Sequence, residues 1–516
     1  MKNWRVVLTG IIIFSATPLW AQLSVGTLLE TQRGNLPNQS PDDLLTLYSN
    51  VYADYRYGIA TVGIRYQNFQ TDVADATYSQ LNQRYIELKK GAFRIRGGNF
   101  YTTLGRGLVL RGFELPNIIF EQRQFRKRYS YYRDIDGVLA EARWNRLEIT
   151  LFSGQPLNNA VPPDFDGLDA RFGDMQGGQV IARPLPWWQV GTGYLHTRFS
   201  DMDRDYTTVF TRLSADKWLR RQFSFRSSLN LYAEHARLNP SSANDYLQNK
   251  RTVPHASYYS VNLGVKRMGL SAEFKDYQHF ENYINLPPIL FMEHSYYLLN
   301  RKSHELLSES EKGYQLEWTW RASSTLFILA NTSKAVNRLG LQEFEFIDRM
   351  LEVTVHWNDA ITSKTFYNWS REDILGEDDR KTAGLNMDWN FSGPWALSLD
   401  QEYQRIHNRY YNDTLNPIQN IYTAITLSNA PGFSLSLMMD RTTNPADVDD
   451  PATRYIIENN AKNWFSISGA YQVTMNNEIS LFYGKRRGGL ACTSGTCYEV
   501  LPFEGLEIRW IGRFRY

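Results

Sequence analysis

A side-chain period of two, repeated along nearly the whole chain, constrains this sequence more than any other feature. In residues 505–516, "GLEIRWIGRFRY", the positions Leu506, Ile508, Trp510, Phe514 and Tyr516 alternate with Glu507, Arg509, Arg513 and Arg515. A strand turns successive side chains to opposite faces, so one face here is aromatic and apolar and the other charged. The pattern recurs. "YQLEWTWR" sets Tyr314, Leu316, Trp318 and Trp320 against Gln315, Glu317, Thr319 and Arg321, and "FSLSLMMD" sets Phe433, Leu435, Leu437 and Met439 against Ser434, Ser436, Met438 and Asp440. Such segments are weak singly and strong in series, and counting them predicts about 24 strands, roughly 22–26, of a closed antiparallel transmembrane β-barrel.

Composition agrees once the period is known. Trp, Tyr and Phe number 14, 32 and 27, a load expected where aromatic girdles mark two membrane interfaces. The mean hydropathy of −0.46 looks soluble, but a barrel needs only every second residue to be apolar, and a polar lumen dilutes the average. After residue 21 no run approaches the about eighteen apolar residues of a spanning helix.

The N-terminus reads as a secretory signal peptide over residues 1–21: Lys2 and Arg5, the apolar "VVLTGIIIF", then "TPLWA" with cleavage expected after Ala21. Losing Lys2 and Arg5 from 56 basic residues leaves 54 against 54 acidic ones. That balance supplies no field for nucleic acid. In an exported chain the only cysteines, Cys492 and Cys497, are expected to close a small disulfide loop.

Connections give a second, independent reading. Short turns are expected near 57–59, 90–92, 144–146, 184–186, 216–222, 267–270, 321–325, 358–361, 391–395, 428–432 and 472–477. Longer polar connections fall between them, at 34–43, 70–79, 100–136, 154–174, 199–205, 236–255, 278–312, 333–348, 371–380, 405–419, 441–462 and 486–504. Strict alternation of short and long predicts short periplasmic turns, long outer loops and both ends of the barrel chain on the periplasmic side. The expected first strand begins near Leu23, which leaves no N-terminal plug domain, yet barrels of about 22 strands are already plugged. Closure by inward-folded loops, by flattening of the barrel, or by a partner protein is therefore expected.

Two loops suit that role, 112–136 and 278–312, within an otherwise single barrel domain, 22–516. The first interleaves Arg123, Arg126, Lys127, Arg128 and Arg133 with Phe125, Tyr129, Tyr131 and Tyr132, groups that fork carboxylates and stack on flat faces. The same run would also serve as an outer loop against lipopolysaccharide phosphates. The second holds Ile289, Leu290, Phe291, Met292, Leu298 and Leu299, too apolar to stand in water. Glu293, His294 and Arg301 are then candidates to face the remaining passage.

Catalytic and metal patterns are weak. "DMDRD" (Asp201, Asp203, Asp205) lacks the glycine and distal glutamate of a calcium loop, and "DVDD" at 447–450 is weaker still. The eight histidines are scattered. The glycines of 97–107 precede no helix and lack the lysine of a phosphate loop. No catalytic residue, cofactor or metal is expected.

At "GGNFYTTLGRGLVLRGFE" (97–114) and "NLPPILFMEHSYYLLNR" (285–301) the chain resembles a domain-of-unknown-function family of exported outer-membrane β-barrels from double-membraned bacteria. The resemblance implies an outer-membrane barrel and no named activity. A terminal aromatic on the last strand likewise resembles the signal read by the barrel assembly machinery, which makes Trp510, Phe514 and Tyr516 the expected assembly signal. The function expected is a porin-like or transporter-like barrel, non-enzymatic, that passes or binds an unidentified solute. The alternatives are a structural or secretion-associated barrel closed by a periplasmic or plug partner, and an outer-membrane hydrolase. Expected contacts are outer-membrane lipid, lipopolysaccharide and the assembly machinery, with no nucleic acid.

Overall fold

The computed structural model describes residues 21–36, 43–73, 75–122, 126–157, 171–199, 202–222, 227–239, 254–280, 282, 285, 292–301, 310–339, 342–411, 417–444, 447, 461–493 and 496–516. Residues 1–20, which carry nearly all of the expected signal peptide, lie outside them.

Every wall strand pairs antiparallel with its neighbour in sequence, and the 24-stranded sheet closes where Phe503–Arg515 pairs with both Ala21–Asn35 and Asn477–Arg486. Closure leaves no edge strand, the condition for a sheet to cross lipid with its backbone groups paired. Alternation assigns the faces as the sequence predicts. Val62, Ile64, Leu437, Phe465 and Leu481 are exposed outward, the apolar face a membrane barrel presents, while their alternates point inward. In the last strand Glu507 accepts from Gln32 Nε2 at 2.7 Å and Arg509 Nε donates to Glu30 at 2.5 Å, so the charged face is luminal. Trp510 and Phe514 pack edge to face on the other side, 6.2 Å between centroids. Trp144, Trp187, Trp357, Phe391 and Trp395 stand exposed at the short turns and form one aromatic girdle at that end of the barrel.

The predicted connections all fall between the observed strands, but their lengths do not sort strictly. Leu326–Leu339 and Gln342–His356 are joined directly across 340–341, where a loop over 333–348 was expected; the outer link at 199–205 shrinks likewise to 200–201. These strands have 14 and 15 residues, well beyond the about 9–11 that a bilayer needs. Polar side chains therefore mark strand continuing above the membrane, which composition does not distinguish from loop. At the end of the short turns, the connection near 216–222 carries a helix, Asp216–Gln222, and is longer than several connections at the opposite end.

Candidate functional site

Three segments of the outer connections fold against the inner wall. The first is the hairpin of Phe113–Gln122 with Lys127–Arg133. Its second strand is buried from Lys127 to Tyr132. Ser130 Oγ lies 2.9 Å from Tyr48 OH and accepts from Asn50 Nδ2 at 3.1 Å, and the Arg128 carbonyl accepts from Tyr78 OH at 2.7 Å. Arg128 pairs with Glu30 of the wall and with Glu121 of the hairpin, the latter at 3.4 Å. Tyr129 and Tyr131 pack on Phe120 at 5.5 and 5.4 Å. Arg126 is buried at the hairpin turn with φ 57°, and Arg123 lies outside the described residues. Arg128 and Tyr129 thus meet the wall, while Tyr131 packs within the hairpin, on Phe113 and Phe120.

The second segment, 101–112, is absent from the sequence expectations as a filler of its own. Leu104, Leu108, Val109 and Leu110 are buried in one cluster with inward side chains of neighbouring strands, among them Leu139, Leu195, Tyr206 and Tyr258. The Gly105 N–H donates to Gln179 Oε1 at 3.1 Å, the Arg106 N–H to Glu234 Oε2 at 2.8 Å, and Arg106 Nη1 to Tyr258 OH at 2.9 Å. The chain leaves the wall beside Gly98, which pairs with Gly137, itself paired with Gly154. Gly98 has φ +93°, and a Cβ there would stand 2.2 Å from the Arg84 carbonyl oxygen, so only glycine allows that close approach. The apolar run "LVL" between glycines was the signal available.

The third segment lies within 278–312. Residues 286–291, including Leu290 and Phe291, lie outside the described residues. Asn285 Nδ2 donates to the carbonyls of Gly107 and Leu108 at 2.7 and 3.0 Å, and Asn282 Nδ2 to that of Val109 at 2.6 Å, tying this segment to the second. Further on, a single helical turn, Tyr297–Asn300, meets a row of inward residues aligned around the wall: Glu352, Phe366, Gly384, Glu402, Tyr422 and Asp440. Tyr296 stacks on Phe366 at 3.7 Å and 27° and donates to Glu352 at 2.7 Å. Tyr297 stacks on Tyr422 at 3.9 Å and 16° and donates to Asp440 at 3.0 Å. Glu402 accepts the backbone N–H groups of Tyr297 and Leu298, both at 2.8 Å. Gly384 leaves room for the Phe366 ring, which a Cβ would meet at 2.2 Å.

The three candidates from this loop separate. Glu293 is exposed. His294 is buried, its Nε2 3.1 Å from Asp348 Oδ2. Arg301 donates to the carbonyls of Arg487 and Gly488, both at 2.7 Å, and burial pulls its guanidinium below the ordinary value. It lines a cavity of about 560 Å³ with Tyr297, Lys364, Asn386, Asp400 and Glu402. The wall residues could not be singled out in the sequence, since an inward polar residue of any strand carries the same period.

His294 and Asp348 meet as part of a hydrolase site would require, and among the described residues His294 Nδ1 has no hydrogen-bond partner. Of the alternate aspartates, Asp203 pairs with Arg198 at 3.4 Å and Asp205 with His196 at 2.9 Å, while Asp201 lies outside the described residues. The outer hairpin of Gly489–Thr493 with Thr496–Val500 roofs the cavity through Gly489, Ala491 and Val500. Its register sets Cys492 opposite Cys497. The two side chains themselves lie outside what is described.

Among solved structures the chain is similar to OccK5 (OpdH) of Pseudomonas aeruginosa, with 11% identity and a TM-score of 0.39 over 74% of this chain and 97% of that one. It is also similar to the siderophore receptor PirA of the same species, with 9% identity and a TM-score of 0.46 over 97% and 81%. No curated protein matches. A family model does match, across residues 20–514, which takes in every wall strand and leaves out only Arg515, the last residue of the sheet. The chain therefore belongs to the family of unknown function DUF6029.

Proposed function

We propose that the protein is a porin-like or transporter-like barrel of the outer membrane, in which a polar solute passes along one side of a partly filled lumen. The observation that carries this reading is the unequal filling. Inward residues of the strands from Phe93–Phe100 round to Met268–Gln278 are packed under segment 101–112 in an apolar cluster. Inward residues of the strands from Ile361–Glu372 to Asn477–Arg486, such as Ser398, Thr426, Ser436, Ser468 and Ser480, are polar and only half-buried. The segment around Tyr297–Asn300 sits at the top of that second side, as a constriction.

Conductance of the purified protein in a planar bilayer tests the reading. Steps of conductance are expected, with the enlargement on loop deletion described below; silence from both parent and deletion variant would end it and favour a barrel that works through a partner. Location is tested separately. The protein is expected in the outer-membrane fraction with a β-dominated circular dichroism spectrum. Recovery from the soluble periplasm would contradict it.

The opposed cysteines give a further expectation. Directly opposed residues of an antiparallel pair have Cα atoms about 4.5–5.5 Å apart, inside the about 4.4–6.8 Å window of a disulfide. Protein from the envelope should resist thiol alkylation at Cys492 and Cys497 until it is reduced. Full labelling without reductant would show the thiols free.

A further inference from the structure

We infer that the cavity under segment 295–301, with the wall below it, binds a neutral polyhydroxylated solute of the carbohydrate class; this rests on the reading of the barrel as a solute passage. The charged groups above the cavity are already engaged. Glu402 holds two backbone N–H groups, Arg301 two carbonyls, and Arg486 faces Glu507 at 3.3 Å. What faces the open space is a strip across three adjacent strands, in which Lys364 stands opposite Asn386 and Asn386 opposite Asp400. With strands about 4.8 Å apart, the strip spans roughly 10 Å. Asn386 Nδ2 donates to Asp400 Oδ1 at 2.6 Å, leaving the other carboxylate oxygen, while Lys364 has no hydrogen-bond or ion-pair partner among the described residues. The strip offers donors and acceptors together with no net charge. An anion would meet Asp400; a cation would meet Lys364.

The wall one step below is the second, independent observation. Thr362, Asp388, Ser398, Thr426, Ser436 and Ser468 stand opposite one another in turn across six strands. All are half-buried, whereas their outward neighbours Ile425, Leu435, Leu437 and Ile467 are exposed apolar groups. Its one carboxylate, Asp388, accepts from Ser398 Oγ at 2.5 Å. A hydroxyl both donates and accepts. A band of them can therefore exchange hydrogen bonds with each successive hydroxyl of a sugar, whereas an anion would shed hydration with no countercharge in the band to replace it. The cavity volume of about 560 Å³ falls within the about 300–1,000 Å³ usual for small-molecule sites. A zwitterionic peptide could use Lys364 and Asp400 at its two ends but has no use for the hydroxyl band.

The full-length protein in detergent is titrated calorimetrically with maltotriose, cellotriose and mannotriose, and in parallel with trialanine. Binding of at least one trisaccharide is expected, weakened about tenfold or more in Asp400→Leu and in the milder Asn386→Ala, since each removes hydrogen-bonding groups the ligand would use. Leu437→Ala, on the lipid face of a neighbouring strand, should bind like the parent. Trialanine binding with no saccharide binding would overturn the inference, as would saccharide binding indifferent to both cavity variants. A protein that conducts but binds no trisaccharide loses this site and keeps the passage. One that binds but never conducts loses the passage and keeps the site.

Discussion

Deleting residues 286–300 should enlarge single-channel conductance, or create it where the parent has none. The deletion removes the Tyr296 and Tyr297 rings, each stacked on a wall aromatic, at about 0.5–1.5 kcal/mol per pair beyond area burial. It also removes both N–H donors to Glu402, hydrogen bonds to a charged group worth about 1.5–3 kcal/mol each. Met292, Leu298 and Leu299 leave with them, at roughly 1.5–3 kcal/mol for each side chain fully buried. These contacts hold the segment down but do not close the barrel, whose wall is complete without it. Glu402→Ala should act in the same direction and less strongly, through more frequent opening events, because the stacks remain. A deletion variant that assembles normally and conducts no better than the parent would remove 278–312 as the constriction. The hairpin at 113–133 would then be the next segment to delete.

Ile508→Arg should sharply reduce assembled protein. Ile508 lies outward on the closing strand, opposite Thr31 on one side and Leu481 on the other. It is well inside the apolar band, where an arginine on the lipid face costs about 2–4 kcal/mol. The seam has no alternative partner, since that strand alone joins the ends of the sheet. Phe514 pairs with Val25 near the periplasmic rim, so Phe514→Asp should cost less, about 0–1 kcal/mol, and act through the terminal aromatic signal. Heat-modified mobility of the outer-membrane fraction reads both effects. Equal assembled levels of Ile508→Arg and parent would show that this face is not in lipid, and unchanged levels of Phe514→Asp would remove the aromatic signal.

The strand count and the faces were legible because both depend on a local rule. Successive side chains of a strand part to opposite sides wherever the strand lies, so Leu437 and Ser436 declare lipid and lumen without any knowledge of their neighbours. The direct link between Leu339 and Gln342 was not legible, because polarity above the membrane is the same in strand and loop. The apolar loop near Leu298 and Leu299 announced its own burial. The matching role of segment 101–112 was harder to see, its four buried apolar residues being spread between glycines and arginines.

By itself the sequence determined an exported-looking, two-faced chain that must close into a large barrel and must cover one apolar outer loop. Only the tertiary structure decided which inward residues receive that loop. Glu402, Phe366, Tyr422 and Asp440 lie up to 74 residues apart along the chain, and each carries the ordinary luminal period. What gathers them is strand register, set by hydrogen-bonded pairing between neighbours rather than by any local preference. The same register aligns Lys364, Asn386 and Asp400 into a strip and the hydroxyls beneath into a band. A period of two says which way a side chain points; only closure of the sheet says what stands beside it.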